Sequence, residues 1–148
     1  MDEANRLPSA AAPATDSPEL DAEHAIQLGL LRAAQAQLAR GDDPNQGSGE
    51  AANATELVEQ LFTYSEAHFL SEQLLMRLAA RPNYEGHVLQ HEELMQDLDA
   101  VRECMQKGDR AAAATRLRAH EGRLLAHSRS WDQSVSKKVL SQTVRVGA

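Results

Sequence analysis

Residues 57–75 read LVEQLFTYSEAHFLSEQLL, and the arrangement of this stretch decides the fold. Leu57, Leu61, Tyr64, His68, Glu72 and Leu75 recur at steps of three and four, which places them on one stripe of a helix. An imidazole and a carboxylate thus sit in the line of residues that faces a core. Burying either is costly unless it is paired or bound to a metal.

The same pattern extends in both directions. Downstream, Pro82 and Asn83 stop the helix, and from about Glu85 a second stripe carries His87, His91, Leu94, Leu98, Val101 and Met105 as far as Gly108. Asp109 then caps a helix running through Ala113, Leu117, Leu124, His127 and Trp131 to about Lys138. Upstream, Ser17 and Pro18 read as an N-cap followed by proline in the first turn. Leu20, His24, Leu28, Leu31 and Leu38 keep the helical period until Gly41. Four helices with short links predict an all-α, antiparallel up-down-up-down four-helix bundle over residues 17–138. Residues 1–16 and 139–148 are expected to be flexible tails.

Composition narrows the function. The 148 residues are 42% hydrophobic and 25% charged, with few aromatics to support strands. Mean hydropathy is -0.50, and no long apolar run is present, so a membrane span is not expected. The net charge of -7 disfavours nucleic acid as a partner. With Cys104 as its one cysteine and no signal-like start, the chain is expected in reducing cytoplasm, and Cys104 is expected to be a buried, inert thiol.

Histidines or carboxylates fall on the inward stripe of every helix: His24, His68 with Glu72, His87 with His91, and His127 with Asp132. Residues four apart differ by about 40° around a helix, so both members of the second and third pairs can reach one ion. In alternating helices these positions come to a similar depth. Imidazole with carboxylate and no thiolate suits iron, manganese or zinc. Asp132 is the awkward member, because five residues turn about 140° on an ideal helix. Either Trp131 takes the core position and Asp132 is solvated, or a π-type widening or a sideways reach brings Asp132 back; the ligand reading is preferred here. His120, on the face of His127, is expected to be a core or pocket group rather than a ligand.

The run His68-Phe69-Leu70-Ser71-Glu72, then Leu75-Met76, Pro82-Asn83-Tyr84, His87 with His91, and His127 with Asp132 resembles the hemerythrin family. Asp21-Ala22-Glu23-His24 is similar to that family's first ligand segment, and the resemblance covers about residues 18–138. It implies two iron ions in an oxo- or hydroxo-bridged di-iron centre. His87, His91 and His127 would hold one iron, His24 and His68 the other, with Glu72 and Asp132 bridging. It further implies that the iron with fewer histidines keeps an open position for dioxygen or another small diatomic ligand, used for storage, delivery or sensing. Reduction of peroxide or nitric oxide at the same iron, or an oxygen- or redox-sensing role toward a signalling partner, is the alternative. Arg123 stands where the family commonly has Trp, Ser128 where it has an apolar residue, and Glu23 where Gln is frequent. These departures imply a more polar pocket and faster oxidation.

Overall fold

A computed structural model describes residues 18–40 and 47–129. These form α1 (Pro18–Arg40), α2 (Gly47–Leu78), α3 (Tyr84–Gln106) and α4 (Arg110–His127), with no strand among the described residues. The all-α expectation holds. The expected tails and the expected continuation of the last helix to Lys138 lie outside the described residues.

The buried positions explain why four such helices pack together. They include Leu20, His24, Gln27, Leu31, Ala34 and Leu38 on α1, and Ala54, Val58, Leu61, Ser65, His68 and Glu72 on α2, with Leu28, Phe69 and Met76 buried beside these lines. On α3 they are His87, His91, Leu94, Leu98 and Val101, and on α4 Ala113, Leu117, His120, Leu124 and His127. Each series alternates steps of four and three, the repeat that keeps one seam facing its neighbours along a bundle. Contacts that advance along one helix retreat along the next: His24–Glu72 and Gln27–Ser65, Glu72–His87 and Glu59–Arg102, His91–His127 and Asp97–His120. Neighbours therefore lie antiparallel.

The α2 stripe is displaced from the sequence reading. Val58, Ser65 and Met76 are buried where Leu57, Tyr64 and Leu75 were expected, and those three are only half-buried. Hydrophobicity ranks Leu and Tyr above Ser, but stepping back from His68 by three or by four reaches 65 or 64 equally well, and the face that packs is the one on which Ser65 accepts from Gln27 of α1 at 3.0 Å. Cys104 is likewise half-buried rather than buried.

The links are short because the ends are closed locally. At the end of α3 the Asp109 N–H donates to the Cys104 carbonyl (2.8 Å) and the Gly108 N–H to that of Met105 (3.1 Å), with Gly108 at φ 76°. Asp109 then accepts from the Ala112 N–H at 3.1 Å and starts α4, as its sequence position predicts.

His120 is fully buried, away from the other five histidines' cluster, and its Nδ1 donates to Asp97 Oδ2 at 3.2 Å. Arg123 clamps the same carboxylate at 2.7 and 2.8 Å. Two of the unusual polar residues of α4 thus share one partner on α3. Burial alone would raise the Asp97 carboxyl, but the hydrogen bonds from His120 and Arg123 outweigh it and hold the pKa below its ordinary value. Asp97→Ala is expected to cost about 2 kcal/mol, because it leaves the buried Nδ1–H without an acceptor beside an Nε2 that already has no hydrogen-bond partner. His120→Leu removes both polar atoms and is expected to be nearly neutral. In the parent chain the Asp97 contribution is present above about pH 4 and is lost as acid protonates the carboxylate. Urea denaturation of the three proteins at pH 7 and at pH 3 measures both effects; equal losses from the two substitutions at pH 7 would refute this account.

Candidate metal centre

One end of the seam is built from ionisable side chains. His24 comes from the second turn of α1, His68 and Glu72 from the last third of α2, His87 and His91 from the first turns of α3, and His127 from the end of α4. All six are buried, Glu72 and His87 completely. Antiparallel packing brings the start of α1 and α3 to the level of the end of α2 and α4, so the six meet although they are far apart in sequence.

Glu72 organises the cluster. Its Oε1 lies 3.5 Å from His24 Nε2 and in direct contact with His68 Nε2. Its Oε2 lies 3.4 Å from His87 Nε2 and 3.5 Å from His91 Nε2. The remaining histidine joins the second side, with His127 Nε2 3.0 Å from His91 Nε2. Two sets of candidate ligands result, His24, His68 and Glu72 on one side and Glu72, His87, His91 and His127 on the other, each with donor atoms within 4.8 Å of one another. One carboxylate, an oxygen to each set, joins them.

The donor chemistry fits cations. His68 Nδ1 faces Glu23 Oε1 at 3.3 Å, His91 Nδ1 faces Gln73 Oε1 at 2.8 Å, and His127 Nδ1 faces Gln90 Oε1 at 2.7 Å. A carboxylate or amide oxygen can only accept, so each Nδ1 carries the proton and each Nε2 turns a lone pair inward. Lone pair then faces lone pair between His91 and His127, and between His91 and Glu72. Only a proton or a metal cation between them turns such a contact attractive. Burial pushes the His91 pKa below the usual histidine value, although contact with Glu72 pulls the other way, so protonation there is disfavoured. Neutral imidazoles with outward Nδ1–H groups held by oxygen acceptors are the state in which histidine binds metal.

Phe69 closes the site on one flank. Its ring stacks on His91, with centroids 4.2 Å apart and planes 16° apart, and meets His127 edge-on at 6.1 Å. Outside it, a cavity of about 400 Å³ between α2 and α3 is lined by Phe62, Phe69, Leu70, Val88, Met95 and His91 among others. Phe69 and His91 both line it, and Glu66, Gln73, Glu92, Gln96 and Asp99 add polar groups to its walls, so the His91 side of the cluster borders this cavity.

Six of the seven residues singled out in the sequence are brought together; Asp132 and Trp131 lie outside the described residues. At the edge of the described chain, α4 passes into a π turn at Ser128–Arg129. Such a turn bonds residues five apart and falls between His127 and Asp132. Arg123, expected to make the pocket more polar, pairs with Asp97 and is half-exposed, so its charge is balanced outside the cluster; Ser128 is buried. The sequence reading missed Gln73 and Gln90, each adjacent in sequence to a candidate ligand but serving a histidine on another helix. It also missed Gln27 and Ser65, whose buried hydrogen bond of 3.0 Å lies next to the cluster.

The family model described as the hemerythrin HHE cation-binding domain matches residues 15–139. No curated protein and no solved structure gives a significant match.

Proposed function

The chain belongs to the hemerythrin HHE cation-binding family, and from that premise we propose that it holds a pair of iron ions and binds dioxygen reversibly. The observation that carries this reading is the division of Glu72, Oε1 toward His24 and His68 and Oε2 toward His87 and His91. We assign His24, His68 and Glu72 to one ion, Glu72, His87, His91 and His127 to the other, and Asp132 as a second bridging carboxylate. When bound, such a pair supplies two electrons and, on the side with fewer histidines, a vacant coordination position for a diatomic ligand.

The protein's own groups set the conditions for that chemistry. Outer acceptors fix the tautomers of His68, His91 and His127, so three ring nitrogens are presented inward without reorganisation. Phe69 and the buried rings around it keep water scarce, which slows proton entry and favours release of the ligand unchanged. With His24 and His68 on one side and His87, His91 and His127 on the other, the unequal donor sets would direct a diatomic ligand to the side with fewer histidines.

Loading the purified protein anaerobically with ferrous iron and then admitting air is expected to give a visible charge-transfer band that disappears under argon and returns with air. Iron analysis is expected to give an ion for each donor set. Failure to load both sets would overturn the assignment. Consumption of oxygen or peroxide with a reductant, instead of its return, would move the reading to a redox enzyme.

A further inference from the structure

The outer partners of the histidines are not alike. His91 and His127 are backed by the neutral amides of Gln73 and Gln90, at 2.8 and 2.7 Å. His68 is backed by a carboxylate, with Glu23 Oε1 3.3 Å from its Nδ1. The Glu23 side chain is one-third exposed and sits beside His24 in sequence, so α1 brings both an inner candidate ligand and an outer charge to the same set. The negative field is felt nearby: the Tyr64 phenol is pushed up, first by burial and then by the Glu23 charge.

We propose that Glu23 is a positioning residue that fixes the His68 tautomer and places a negative charge behind the two-histidine set, so that the ion held there has its higher oxidation state favoured. This rests on the di-iron reading above. An imidazole whose Nδ1–H is held by a carboxylate is a stronger donor through Nε2 than one held by an amide, and a stronger donor stabilises the more highly charged ion. A set with His24, His68 and one oxygen of Glu72 has fewer protein donors than its neighbour, and Glu23 offsets that deficit from outside. The two donor sets then differ in electronic character as well as in ligand number.

Glu23→Gln separates the two parts of this role. The amide keeps an oxygen acceptor for Nδ1 and nearly the same shape but removes the charge, whereas Glu23→Leu removes both. Each variant is loaded with ferrous iron, counted for bound iron, and titrated for the midpoint potential of its first one-electron oxidation. Loading with zinc instead allows the His68 tautomer to be read by nitrogen NMR. For Glu23→Gln the expected results are full iron loading, an unchanged tautomer, and a midpoint raised by the equivalent of about tenfold, 59 mV for one electron. For Glu23→Leu, loss of the outer partner is expected to weaken metal retention by about 10–100-fold in the two-histidine set. Gln73→Glu, which puts a carboxylate behind His91, is expected to lower the oxidation potential of the opposite ion.

A Glu23→Gln protein that loads both ions and keeps the parent midpoint overturns the role proposed for the charge. An unchanged tautomer and unchanged metal retention in Glu23→Leu overturn the positioning role. Failure of the parent chain itself to load both ions is a different result, and it refutes the di-iron reading instead.

Discussion

Glu72→Ala is expected to release both ions at once. Its carboxylate divides between the donor sets, Oε1 facing His24 and His68 and Oε2 facing His87 and His91, so a single substitution removes a donor from each set and the negative charge between them. Loss of an outer hydrogen-bond partner alone weakens metal sites by about 10–100-fold, and loss of a direct ligand common to both sets should exceed the upper end of that range for each ion. Glu72→Gln should fail nearly as badly, since the amide has one acceptor oxygen where the carboxylate has two. His24→Ala should be milder, because it removes one donor from the smaller set and leaves the set of His87, His91 and His127 whole. The contrast is measured as iron retained after gel filtration of anaerobically loaded protein. If Glu72→Ala keeps as much iron as His24→Ala, the carboxylate does not join the two sets. The folded apo-protein should survive the substitution, because removing a buried charge whose role is metal binding lifts a desolvation cost. Circular dichroism of the apo-variant therefore serves as the control.

The parts of this arrangement that were legible in the sequence are those written along single helices. His87 and His91, or His68 and Glu72, share a face because four residues overrun a turn by only about 40°, and that remains true whatever the helix packs against. Asp109 and Gly108 were readable for a similar reason, since a cap and a left-handed turn are made by residues that are neighbours in the chain. The rotation of α2 was not. Choosing between Tyr64 and Ser65 as the core residue depends on which side of the helix the other three approach, and the larger apolar side chain proved the poorer guide. Ser65 is buried because Gln27 of α1 donates to it, a pairing that spans 38 positions and follows no spacing rule.

Outer partners were hidden for the same cause. Gln73 follows Glu72 on α2 but holds His91 of α3, and Gln90 precedes His91 on α3 but holds His127 of α4. Reading either from sequence needs the register between helices, which only packing supplies. His120 shows the opposite case. The sequence separated it from the candidate ligands, and Asp97 and Arg123, three and four residues from core positions on their own helices, give it a partner outside the cluster. A π turn stands at Ser128–Arg129, within the His127–Asp132 interval, while Asp132 itself lies outside the described residues.

Removal of metal is expected to soften one end of the bundle and leave the other intact. Five buried imidazoles and a buried carboxylate meet at the level of His24, Glu72, His87 and His127, where lone pairs oppose each other unless a cation lies among them. Two turns away, Leu31, Leu61, Leu98 and Leu117 are fully buried in an apolar core that needs no ion. Metal that binds only the folded state adds about 4.1 kcal/mol when its free concentration is a thousand times Kd. For a chain of this size that raises Tm by roughly 10 °C. A chelator should reverse the gain, and amide hydrogen exchange in the apo-protein should quicken around residues 68–72, 87–91 and 124–127 while 31–38, 98–101 and 113–117 stay protected. Acid should act like the chelator, since protons and metal compete for the same Nε2 atoms. Burial lowers the His91 pKa, so protons win there only at a pH below the ordinary histidine range, and metal-linked stability is expected to be lost as pH falls, not as it rises. Equal Tm values with and without metal at pH 7.5, or exchange that quickens uniformly along all four helices, would show that the cluster is stable without an ion and that its convergence has another cause.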